Sequence, residues 1–147
     1  MKFFTSEWWS NNCEDASVFE RYDKYLESVA SSLPKNLLLL HSDHTLHDAE
    51  VKKITSSFDT KIANVELRGW DALLQNPVYY KLQFSGVREF HQVFPQQEYV
   101  ESELGDLGYW EIEALKHGTE VRMLFVSNAE FRIVFEGFNF EHAPISA

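Results

Sequence analysis

The chain has 147 residues, 44% apolar and 24% charged, which suits one domain with a sizeable core and excludes a disordered segment. Its net charge of −10 argues against a nucleic-acid or anionic-membrane surface, since both need Lys and Arg set against phosphate, and favours a basic partner. Cys13 is the only cysteine, so an internal disulfide is excluded and a reducing cytoplasm is the expected compartment.

Residues 1–12, MKFFTSEWWSNN, are rich in aromatics, and Glu7 and two asparagines interrupt any apolar core, so no secretory signal is expected. Next, Val18, Tyr22, Tyr25, Leu26, Val29 and Leu33 recur at the spacing of one helix face. Asp15 or Ser17 is placed to cap this helix and Pro34 to stop it. The apolar run Leu37–Leu40 reads as a helical turn or a short strand, and is far below the ~20 residues that cross a membrane.

A cluster of polar and titratable residues follows at once, HSDHTLHDAEV from residue 41. His41, His44 and His47 are spaced by three, so on a helix they would share an arc of about 120°. Three imidazoles with an open fourth position suit catalytic zinc, and Asp43 or Asp48 could be a further ligand or orient an imidazole. However, the spacing is not that of a HExxH helix, and no second ligand group follows. A turn into the next strand is the preferred reading, with Asp48 accepting a backbone N–H and His47 bracing it. A metal site at His41, His44, His47 and Asp48 is the alternative; no cofactor is expected.

From there the period changes to two. Val51–Phe58 and Lys61–Gly69 read as strands around the turn Phe58-Asp-Thr-Lys, and Val78–Val87 as another, with Tyr80, Leu82 and Phe84 on one face. Phe90–Val100 reads as a loop. Leu107–Leu115, Glu120–Val126 and Glu130–Phe135 are further strands, joined by Lys116-His-Gly and Ser127-Asn-Ala turns. The predicted fold is α+β in a single domain, residues 1–147: an N-terminal helix or helices packed on a mostly antiparallel sheet of about five or six strands.

Between Glu89 and Leu115 there is no Lys or Arg, but Glu98, Glu101, Glu103 and Asp106 occur with Tyr99, Tyr109 and Trp110 among them. Carboxylates steer a basic protein and aromatic anchors hold it, so Glu98, Glu101, Glu103, Asp106, Tyr109 and Trp110 form the candidate partner surface. Glu111 and Glu113 alternate with Ile112, as on the polar face of a half-exposed strand. Nothing matches a nucleophile elbow, a P-loop or a dinucleotide fingerprint, so the chain reads as a binding protein and not an enzyme.

The opening Lys2-Phe3-Phe4-Thr5-x-Glu7-Trp8-Trp9, the motif Leu46-His47-Asp48-Ala49-x-Val51, and the runs Leu82-x-Phe84-x-x-Val87 and Phe131-x-Ile133-x-Phe135-x-x-Phe138 resemble a family of small bacterial proteins of unknown function. The layout is also similar to immunity proteins of bacterial toxin systems. That resemblance implies a cytoplasmic protein that binds a cognate toxin, such as a basic nuclease, and covers its active site.

Overall fold

The computed structural model describes residues 1–94 and 104–146. Three short helices, α1 (Ser6–Ser10), α2 (Ser17–Val29) and α3 (Lys35–Asp43), precede eight strands: β1 (Thr45–Ser57), β2 (Ile62–Trp70), β3 (Pro77–Ser85), β4 (Glu89–Val93), β5 (Leu107–Leu115), β6 (Gly118–Phe125), β7 (Glu130–Phe135) and β8 (Gly137–Pro144). They form one sheet in the order β4-β7-β6-β5-β1-β2-β3-β8, with every pair antiparallel.

This corrects the expected α+β domain of about five or six strands: about half of the chain is strand and 22% is helix. The two additional strands have physical causes. β4 lies in the stretch read as a loop; its Glu89, His91 and Gln92 give no apolar alternation, as befits a short edge strand. β8 follows β7 after Glu136 alone, so Phe131–Phe140 looks like one uninterrupted run.

Glu136 marks a shared bend. The β3–β8 ladder ends at Ser85–Gly137, and the β4–β7 ladder resumes at Glu89–Val134. Between them the Glu136 N–H donates to Ser85 O (3.0 Å) and the Arg88 N–H to Val134 O (2.8 Å). The sheet therefore turns a corner here with few backbone bonds lost. At the opposite corner β1 meets β5 through Ala49 and Leu107. The curled sheet encloses Val65, Leu67, Leu82, Phe84, Ile112, Val121, Met123, Phe125, Ile133 and Phe135, all buried.

Beyond that corner β5 separates from β1, and α2 satisfies its exposed backbone. The Ile112 N–H donates to Tyr22 Oη (2.7 Å) and the Ala114 N–H to Tyr25 Oη (2.9 Å). Burial, with the nearby Glu111 carboxylate as a lesser cause, raises the Tyr22 hydroxyl far above its ordinary value, although the Ile112 N–H opposes this. Asp15 Oδ1 accepts from the Ser17 N–H (3.1 Å) just before the helix, and Pro34 both ends the first helical stretch and opens α3.

The N-terminal segment is fixed from beneath. Glu111 is fully buried. Its carboxylate accepts the backbone N–H groups of Lys2, Phe3 (2.9 Å) and Phe4 (3.2 Å) and the Nε–H of Arg122 (2.8 Å). Arg122 also pairs with Glu113 and Glu120. Burial alone would raise the Glu111 carboxyl, but the Lys2 and Phe3 amides, Arg122 and the Phe4 amide outweigh it, so its pKa falls below the ordinary carboxylate range. Glu111 is thus a buried anchor and not part of a solvated polar face.

Candidate functional site

The HSDHTLHD cluster is split between elements. His41 lies in the last turn of α3, His44 caps that helix, and His47 and Asp48 belong to β1. His41 packs edge-on against Tyr22 and Trp110. His44 packs on Tyr80, Phe140 and His142, with the His142 ring centroid 4.6 Å away. His47 Nδ1 is 2.8 Å from Gly108 O on β5. A carbonyl only accepts, so that ring nitrogen carries the proton. The three imidazoles therefore face three different neighbourhoods. Among the described residues no group of three or more His, Cys, Asp or Glu side chains is placed to hold a metal ion.

His41 is shifted below the ordinary imidazole value by burial, against the weaker pull of Asp23. His44 is lowered by burial and then by His142, with Asp43 opposing. Both shifts favour neutral rings in packed positions.

Asp48 does not cap a turn. It sits inside β1 at φ +61°, where the β1–β2 register shifts between Thr45 and Glu50. Asp tolerates this left-handed conformation, and the irregularity turns its carboxylate outward. Its carboxylate lies 3.6 Å from His47 Nε2.

The acidic stretch divides as well. Glu98, Glu101 and Glu103 lie outside the described residues. Tyr109 is stacked on Phe4 and meets Trp8 and Trp9 edge-on, beneath α1. Its hydroxyl lies 3.6 Å from Cys13 Sγ; burial, then that thiol, raises it to about 12. Trp110 points to the other face of β5, against His41. Both aromatics are half-buried internal contacts. Asp106 is exposed and is held by its own carbonyl, which accepts the Val126 N–H (2.9 Å).

What the fold does bring together is Asp106 with Asp48. Because Ala49 pairs with Leu107, Glu50 of β1 stands beside Asp106. Asp48, Glu50 and Asp106, with Arg68, Trp70 and Leu74, line a cleft of about 480 Å³. The Arg68 guanidinium lies 5.7 Å from the centre of the Trp70 ring, a cation–π contact. Trp70 is fixed by its carbonyl, which accepts from Tyr80 Oη (2.9 Å). Lys52 reaches Glu50 at 2.9 Å. Three carboxylates surround one lining guanidinium, so the cleft attracts cations, and its aromatic wall suits the stem of a Lys or Arg side chain.

Sequence reasoning missed Glu50, Arg68 and Trp70. Glu50 and Arg68 are paired across β1 and β2 through an irregular register, and no motif marks such a pairing. No helix among the described residues is long and apolar enough to cross a membrane. No family model and no curated protein matches the chain.

Proposed function

We propose that this chain is a binding protein whose acidic cleft receives a basic partner, in the manner of an immunity protein that covers the active site of a cognate toxin, such as a basic nuclease. The observation that carries this reading is the convergence of Asp48, Glu50 and Asp106 around Trp70. A net charge of −10 adds a long-range field that speeds encounter with a cation-rich surface. The nuclease and its neutralisation rest on the resemblance to immunity proteins alone.

The form of the site supports a binding role: the cleft residues are exposed carboxylates with a guanidinium and an indole, groups that pair with and pack on Lys and Arg side chains. The test is co-expression with the basic protein captured from the native cell. The chain should relieve that protein's toxicity, and Asp48→Lys/Glu50→Lys/Asp106→Lys should abolish the relief while the fold is retained. Relief that survives the triple reversal would remove this cleft from the interface.

A further inference from the structure

A second surface lies at the opposite end of the β1–β2 hairpin. Here β4 is an end strand of the sheet, and among the described residues it pairs with β7 alone. β2 stays close to its start, where the Val87 N–H donates to Lys61 O (2.9 Å), and the two then diverge. The space between them is a cleft of about 520 Å³. One wall is Val87, Arg88, Glu89, Phe90 and Gln92; the other is the hairpin tip, with Ser57, Phe58, Lys61 and Ile62. Phe58 is 100% exposed, although a hairpin tip has no structural need of a phenyl ring.

The geometry points to this cleft as a docking groove for an extended segment of a partner protein, which adds a strand to the open edge of β4 and packs an apolar side chain against Phe58 and Ile62. The occupant's chemistry is set by the cleft. A strand edge presents backbone donors and acceptors in a row, and an extended backbone satisfies such a row residue by residue. A helix has used its own N–H and C=O groups and leaves that edge unpaired. A folded domain is disfavoured because the hairpin tip stands opposite the edge. The alternation of side chains along an added strand would send every second one toward Phe58 and Ile62 and the others to solvent. The cleft selects no charge: its two cations, Lys61 and Arg88, are offset by Glu89 in the same lining and by Glu136, which pairs with Arg88 at 2.8 Å. This groove is separate from the acidic cleft, so the two inferences stand or fall independently.

The probe is a phage-displayed library of random nine-residue peptides selected on the intact chain. Enriched peptides should alternate apolar and polar residues and should slow amide exchange in Glu89–Val93 when bound. Phe58→Ser, at a fully exposed site, should weaken them at least tenfold, and Leu73→Ser, an exposed apolar control on the β2–β3 connection, should not. N-methylation of alternate peptide backbone nitrogens should also cost at least tenfold. Failure to enrich any peptide, peptides indifferent to both Phe58→Ser and N-methylation, or peptides that protect some other segment would each overturn the proposal.

Discussion

Glu111→Gln removes one charge from the most buried carboxylate among the described residues while keeping its shape. In the native protein that carboxylate accepts three backbone N–H groups and the Arg122 Nε–H. The substitution replaces one acceptor oxygen with an NH₂ that faces donors, so at least one N–H is left without a partner. Removing one member of a buried ion pair costs about 3–5 kcal/mol. Arg122 retains Glu113 and Glu120, which places the expected loss near the lower end, about 3 kcal/mol. For a chain of this size that lowers the melting temperature by roughly 6–12 °C. Urea unfolding followed by tryptophan fluorescence measures it. Amide exchange should show that Lys2, Phe3 and Phe4 lose protection before the strands do. A variant within about 0.5 kcal/mol of wild type, in the range of an ordinary surface change, would refute the reading of Glu111 as an anchor.

Three further outcomes follow from the same contacts. Glu111 and Glu113 have lowered pKa values, so the unfolded chain takes up their protons first as the pH falls; their stabilisation is complete above the unfolded carboxylate value of about 4.3 and is lost as the pH drops through the folded values. The stability gap between wild type and Glu111→Gln should accordingly be constant above about pH 5.5 and shrink below about pH 4.5 in parallel urea titrations. Tyr22→Phe removes the acceptor of the Ile112 N–H, should cost about 1–3 kcal/mol by thermal denaturation, and should speed exchange at that amide. Gly108→Ala would set a methyl group 2.2 Å from the Trp9 ring, so the indole must move; a loss of about 1–3 kcal/mol and altered Trp9 fluorescence are expected.

Much of the fold is legible where one face of an element is buried and the other is wet. Val18, Tyr22 and Leu26 mark α2, and Tyr80, Leu82 and Phe84 mark β3, because the buried side chains recur at the period of the element. Legibility fails where burial is absent: β4 is largely exposed and has no clean alternation, whereas β6, buried along almost its whole length, is still legible as the apolar run within Glu120–Val126. Leu37–Leu40 has no period of its own, and only the structure shows that it belongs to α3.

The histidine cluster misleads for a related reason. A spacing of three implies a shared face only within one helix, and this helix ends at Asp43. His47 therefore follows the strand to Gly108 while His44 turns to Tyr80. Glu111 misleads because its pattern is that of an outward-facing strand residue, and what covers it comes from residues 2–4, more than a hundred positions away. The acidic cleft was half visible. Asp48 and Asp106 stood out in sequence for separate reasons, but the Ala49–Leu107 pairing that unites them is a tertiary fact.

The most direct test of the binding account is a pull-down from the native cell's lysate with the tagged chain, washed at low and at high salt, beside the Asp48→Lys/Glu50→Lys/Asp106→Lys variant. The account predicts one stoichiometric basic protein on the wild-type chain, depleted by salt and missing from the variant. A partner retained equally by both chains at both salt concentrations would contradict it.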